Sequence, residues 1–154
     1  MGLRIDDIVQ AQAKDLPQIE ELEKQSFPDP WSLALFEELL VHPSQALYVA
    51  QNKNTIVGYI AFWKILDEVH ILNLCVAPDQ RKTGIGGELL QFCLNRYPAV
   101  DVSFFSLEVR ESNIAAQRLY QKFGFKIKTI RKNYYSNHEN ALVMIKSNSP
   151  CMAS

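Results

Sequence analysis

The chain has 154 residues, 47% hydrophobic and 21% charged, the composition of an ordinary soluble globular domain that buries about two-thirds of its unfolded surface. Sixteen Lys and Arg against seventeen Asp and Glu give a formal charge of -1. That excludes the broad basic field on which nucleic acids and anionic membranes depend. No run approaches the ~18 apolar residues of a spanning helix, and Asp6 and Asp7 precede any apolar stretch. No membrane segment or signal peptide is expected, and the expected location is cytoplasmic.

In chain order, residues 5–13 read as a first strand. Asp15 opens a helix, with Gln18 at the spacing of a capping box and Pro17 tolerated in the first turn. Ile19, Leu22 and Phe27 form its apolar side until two prolines in segment 27–31 interrupt it. Ser32 caps a second helix carrying Leu33, Phe36, Leu39 and Leu40 at helical spacing, which His42-Pro43 closes. Strands over 46–51 and 55–66 flank a hairpin turn at 52–54. Asp67-Glu68 turns the chain into an apolar strand over 70–76, ended by Pro78.

A helix over 84–96 places Ile85, Leu89, Phe92 and Cys93 on one face. A strand over 102–109 follows, then a helix over 113–123 stopped by Gly124. Strands over 126–134 and 141–145 flank a polar loop at 136–140. Consecutive strands joined by tight turns imply antiparallel pairing, so the expected class is α+β, with helices on both faces of a mixed sheet. One domain is expected over residues 1–146, followed by a flexible polar tail over 147–154. Cys75, Cys93 and Cys151 include no CxxC and no neighbouring His pair, so neither a disulfide framework nor a metal site is expected. The last four residues, Cys151-Met152-Ala153-Ser154, have the form of a prenylation box but lack a second anchoring signal.

The sharpest motif runs from Val76 through Arg81-Lys82-Thr83-Gly84-Ile85-Gly86-Gly87. A strand ends, a basic glycine-rich turn follows, and an amphipathic helix begins. Such a turn lets backbone N–H groups converge on an anion at a helix N-terminus, which suits a pyrophosphate. It is not a Walker A loop, because Glu88 follows Gly87, and Leu89 stands where the dinucleotide fingerprint needs a third glycine.

This loop resembles the Q/R-x-x-G-x-G/A loop of the GNAT acetyltransferases, which holds the pyrophosphate of acetyl-CoA. The stretch from Leu107-Glu108-Val109-Arg110 through Asn113 and Tyr120 to Phe123-Gly124-Phe125 resembles the same family's C-terminal half. Phe27-Pro28 with Trp31-Ser32, and Arg131-Lys132-Asn133-Tyr134-Tyr135, resemble the RimI-type ribosomal-protein-alanine N-acetyltransferases. Two departures stand out. Asp29-Pro30 is inserted before the tryptophan, and Gly87 replaces a common basic residue.

The resemblance implies the GNAT fold, acetyl-CoA as cosubstrate, and the N-terminus of a ribosomal or other protein as acceptor. It assigns Glu108 as general base; read from the residues alone, Glu108 equally fits a surface salt bridge to Arg110. Tyr120 is the implied acid, its phenol pKa near 10 lying close to a thiol's ~8.5; the alternative is a core tyrosine. Asn113 is implied in CoA contact, but it is also a good helix N-cap. Leu74, Cys75 and Val76 are implied to offer backbone groups to the pantetheine arm, with Cys75 itself a small core residue. Trp31, Tyr134 and Tyr135 line a substrate slot or form an aromatic minicore.

At pH 7 an α-amine of pKa ~8 is about one-tenth neutral and a lysine below about a thousandth, which favours a protein N-terminus as acceptor. The alternatives are a small polyamine, antibiotic or lysine acceptor, served by Asp67, Glu68 and Glu139, or a non-catalytic acyl-CoA-binding module.

Overall fold

A computed structural model of the chain describes residues 7–148. The elements are β1 (Asp7–Gln10), α1 (Leu16–Ser26), α2 (Leu33–Val41), β2 (Gln45–Asn52), β3 (Thr55–Ile65), β4 (Glu68–Val76), α3 (Ile85–Asn95), β5 (Phe104–Arg110), α4 (Ile114–Lys122), β6 (Lys126–Arg131) and β7 (Ala141–Ser147). The strands form one sheet in the order β1-β2-β3-β4-β5-β7-β6. β4 and β5 run parallel, whereas β1–β2, β2–β3, β5–β7 and β6–β7 pair antiparallel. The α+β class and the mixed, mostly antiparallel sheet are as expected.

Contacts divide the chain into two compact units. The first holds the chain through Trp63 together with Asn73–Arg96. Its core includes Ile19, Phe36, Leu47, Val49, Tyr59, Ile60, Phe62, Ile85, Leu89 and Leu90, all essentially excluded from water. Each such side chain contributes about 1.5–3 kcal/mol on burial. The β2–β3 hairpin closes through Lys53 and Asn54, both at positive φ (51° and 68°), the backbone a two-residue turn needs to match strand twist. α2 is capped as expected, Ser32 Oγ accepting from the Leu35 N–H at 3.3 Å.

The capping box expected between Asp15 and Gln18 does not form. A 3-10 turn (Ala13–Asp15) leaves Asp15 in helical rather than extended backbone, so its side chain makes no cap bond to α1. Its carboxylate turns back to the Gln12 N–H (2.8 Å), and Gln18 Oε1 accepts from the Ile56 N–H instead (3.1 Å).

The second unit comprises Lys64–Leu72 and the chain from Tyr97 on. β5 pairs with β4 from Glu68↔Phe104 to Ile71↔Leu107, and with β7 from Phe104↔Ser147 to Arg110↔Ala141. The β4 pairing thus ends one residue before Glu108, while the β7 pairing continues to Arg110. Phe105, Leu107 and Val109 are buried on one face of β5, and on the other Ser106 is buried while Glu108 is exposed. Gly124, at φ +96°, ends α4. The strand expected over 126–134 stops at Arg131, because Asn133 takes a left-handed turn (φ 54°).

Ser147 and Asn148, expected in the tail, are held in place. Ser147 ends β7, and Asn148 Nδ2 donates to the Tyr97 and Val102 carbonyls at 3.0 and 2.9 Å. The prenylation-like terminus lies outside the described residues.

Candidate active site

The basic glycine turn is built on the first unit. After β4, a 3-10 turn (Pro78–Gln80) hands the chain to Arg81-Lys82-Thr83-Gly84, and α3 begins at Ile85. Lys82 (φ 64°) and Gly84 (φ 92°) are both left-handed, and Thr83 Oγ1 donates to the Gln80 carbonyl. A Cβ built on Gly84 meets nothing within 4 Å, so this glycine is required for its backbone rather than for space. Arg81 is braced: Nε donates to the Val76 carbonyl (3.2 Å) and a terminal nitrogen to Ser26 Oγ (3.1 Å). The first-turn amides of Ile85, Gly86 and Gly87 have no carbonyl four residues earlier within the helix. Together with the Arg81 and Lys82 cations and an unobstructed Gly84, they form a donor set that fits a pyrophosphate.

Behind this turn lies a polar cluster the sequence reading did not single out. Glu23 is 1% exposed and accepts three hydrogen bonds: Oε2 from the Trp31 N–H (2.9 Å), and Oε1 from Tyr59 O–H (2.5 Å) and Asn73 Nδ2 (2.8 Å). Tyr59 also interacts with Cys75, whose thiol donates to Ser26 Oγ at 3.3 Å. Burial raises the pKa of the Cys75 thiol, which keeps it protonated and leaves it a small packed residue, not a nucleophile. The Trp31 ring packs on Phe36 at 5.4 Å between centroids.

The second unit gathers the other chemistry-bearing residues. Glu108 Oε1 accepts from Tyr134 O–H (3.2 Å), and Oε2 pairs with Arg131 Nε (2.9 Å). Arg110, the partner considered from sequence, instead reaches Glu139 Oε1 (3.0 Å) and Asn137 Oδ1 (3.1 Å) and lies over the Tyr135 ring at 3.9 Å. Glu139 also accepts from the Ser112 N–H (2.7 Å). Hydrogen bonding from Ser112, then the Arg110 contact, lowers its carboxyl to about 2.

Tyr134 and Tyr135 stack edge to face at 5.1 Å. Burial pushes Tyr135 up to about 12 and also raises Tyr134, the latter with a further contribution from Glu108. Tyr120 is buried on α4, its ring against Phe125; burial, then the Tyr135 phenol, raises its pKa well above that of a free tyrosine. Glu108, Tyr134 and Tyr135 are therefore linked by direct contact, and Tyr120 is tied to them only by the electrostatic influence of the Tyr135 phenol.

Asn113 acts as the N-cap of α4, Oδ1 accepting from the Ala116 N–H at 3.2 Å. His70 bridges Glu68 (3.1 Å) and Ser106 (3.0 Å). Asp67 accepts from Ser103 Oγ at 2.7 Å. Among the described residues, no group of three or more His, Cys, Asp or Glu is placed to hold a metal, and no helix is long and apolar enough to cross a membrane.

Comparison with known proteins converges on one reading. Residues 16–125 match the Acetyltransferase (GNAT) family. The chain is 35% identical over 141 residues to the ribosomal protein bS18-alanine N-acetyltransferase of Haemophilus influenzae, covering 89% of this chain and 95% of that protein. It is 32% identical over 133 residues to the corresponding Escherichia coli (strain K12) enzyme, covering 84% and 89%. The crystal structure of the ribosomal-protein-S18-alanine N-acetyltransferase from Escherichia coli is similar at a TM-score of 0.85 and 28% identity, covering 96% of this chain and 97% of that one.

Proposed function

The chain belongs to the acetyltransferase (GNAT) family and is an acetyl-CoA-dependent N-acetyltransferase, and from that premise we propose that it acetylates the α-amine of an alanine-leading ribosomal protein, with Glu108 as base and Tyr120 as acid. The observation that supports the mechanism is an exposed carboxylate, Glu108, held by Tyr134, and a buried phenol, Tyr120, on the same unit.

In the proposed reaction the basic glycine turn, with Arg81, Lys82 and the amides of Ile85, Gly86 and Gly87, holds the pyrophosphate of acetyl-CoA. Leu74, Cys75 and Val76 offer backbone groups to the pantetheine arm, and Asn113 borders the cofactor. A carboxylate oxygen of Glu108 takes the proton that the attacking amine must lose. The nitrogen bonds to the thioester carbon, the tetrahedral intermediate collapses, and the carbon–sulfur bond breaks. Tyr120 gives its proton to the departing thiolate, and solvent returns one to the phenolate. Burial keeps Tyr120 protonated until that step, although each pKa unit by which the phenol exceeds the thiol adds about 1.4 kcal/mol to the transfer.

Trp31, Tyr134 and Tyr135 receive the peptide end. The acidic residues that a small polyamine would use are already engaged: Asp67 by Ser103, Glu68 by His70, Glu139 by Arg110 and Ser112. That favours a peptide acceptor.

The test combines an acetyl-CoA-dependent assay over peptides differing only in their first residue, a free polyamine, and Glu108→Gln. Expected are preference for alanine, little turnover of the polyamine, and a kcat loss of about 10²–10⁴-fold in E108Q. Its Tm should move little, since the Arg131–Glu108 pair is exposed and worth about 1 kcal/mol or less. Wild-type turnover by E108Q refutes the base. Thiol release with the polyamine alone refutes the peptide acceptor, and CoA binding without release by any amine refutes the enzyme reading.

A further inference from the structure

We propose that Glu23 is a positioning residue that holds the acceptor-facing segment 27–31 and the strand residue before Leu74 in one fixed arrangement. The inference rests on the reading that Trp31 borders the peptide.

Segment 27–31 is poor in backbone donors, because Pro28 and Pro30 have no N–H. Glu23 takes both of its end donors. Its backbone carbonyl accepts from the Phe27 N–H (3.1 Å) and its carboxylate from the Trp31 N–H (2.9 Å). The five residues are thereby pinned at entry and exit by one residue of α1. The same carboxylate takes Asn73 Nδ2 on β4, next to Leu74, and Tyr59 O–H on β3.

All three groups donate to the carboxylate as arranged here, and the Trp31 N–H can do nothing else, so that end of the site calls for an acceptor. A buried carboxylate is an expensive way to fasten a core, where apolar packing serves as well or better. Its presence fits a need for a defined backbone position at Trp31 and Asn73.

Glu23→Gln tests this with almost no change of shape. The amide has one acceptor oxygen where the carboxylate has two, and with that oxygen on Tyr59 and Asn73 its NH2 meets the Trp31 N–H, donor against donor. The Trp31 end of the segment is then released. Expected is a peptide KM higher by about tenfold, the equivalent of one lost buried hydrogen bond, with the acetyl-CoA KM within twofold of wild type.

In a Trp63→Phe background Trp31 is the remaining tryptophan, and its fluorescence in E23Q should become more accessible to acrylamide. Tyr59→Phe removes one donor yet leaves the Trp31 bond, so it should lower Tm while keeping the peptide KM and quenching of wild type. Should E23Q not fold, Glu23→Asp, an acceptor one methylene short, is expected to shift both readouts in the same direction. Unchanged peptide KM and unchanged quenching in E23Q, beside an impaired Trp31→Ala, overturn the inference. Unchanged peptide KM in W31A overturns the reading beneath it, and the quenching then still decides whether Glu23 holds the segment.

Discussion

Gly58→Ala places one methyl group where the first unit has no room for it. A Cβ on Gly58 of β3 would stand 2.8 Å from the Cys75 carbonyl oxygen, 3.1 Å from Leu89 Cδ1 and 3.4 Å from Ile85 Cγ2. A carbon–oxygen contact between strands normally sits at about 3.3–3.6 Å, so at least ~0.5 Å must open. Leu89 can yield by rotating, but the backbone carbonyl of β4 cannot. Overpacking of this kind costs about 1–3 kcal/mol, which for a domain of this size lowers Tm by roughly 2–12 °C. The displacement falls on Cys75, at the end of the strand feeding the basic turn, and on Ile85 and Leu89 of the helix leaving it. Thermal melts should therefore show the loss, and steady-state kinetics at saturating peptide should show a raised acetyl-CoA KM. Gly84→Ala should act in the same direction through strain alone, about 1–2 kcal/mol for a left-handed alanine with empty space around it. Asparagine, which tolerates that backbone better, should recover part of the loss at Gly84 but worsen it at Gly58. A G58A protein with wild-type Tm and acetyl-CoA KM refutes the argument that close approach at Gly58 sets the position of α3.

Tyr120→Phe should lower kcat by about 10²-fold or more at unchanged peptide KM, as read in initial-rate assays, because the leaving thiolate loses its donor but the ring packing on Phe125 persists. Glu139, at 4.5 in the free side chain and about 2 in the fold, contributes stability that is fully present above 4.5 and lost as pH falls toward 2. Melts across that window should fall more steeply for wild type than for Glu139→Gln. The same E139Q variant should raise the peptide KM at neutral pH, since Glu139 secures the loop bearing Tyr134 and Tyr135.

The strand–turn–helix over 76–87, the caps at Ser32 and Asn113 and the Asn52–Thr55 hairpin were all legible in the sequence. Each is encoded within a few residues by backbone preference or by spacing. Glu108 was marked out by its strand and its family context. Its partner was not. Glu108 lies opposite Val143 on β7, and Val143 opposite Thr129 on β6, so the guanidinium that reaches it, Arg131, comes from two strands away. Only the pairing register fixes that choice. Glu23 was invisible for the same reason: its partners lie 8, 36 and 50 residues along the chain. The misassigned capping box shows the converse limit, since a correct local spacing lost to a 3-10 turn and to a long-range bond from Ile56.

The proposed acid and base are separated by their surroundings more than by their chemical type. Glu108 projects from the polar face of β5 beyond the last β4 pair, where water, Arg131 and Tyr134 all reach its oxygens. Tyr120 projects from α4 into a buried site bordered by Phe125, where forming a phenolate is costly. An amine arriving from solution must shed its proton to the wet, anionic side. A thiolate leaving in a dry pocket finds a neutral donor there. Exchanging the roles fails, because Tyr120 is a poor acceptor while burial keeps its own proton in place. Tyr134 donates to the carboxylate and stacks on Tyr135, whose phenol acts electrostatically on Tyr120. Tyr134 donates directly to the proposed base, so Tyr134→Phe should change turnover without altering which group is acid and which is base.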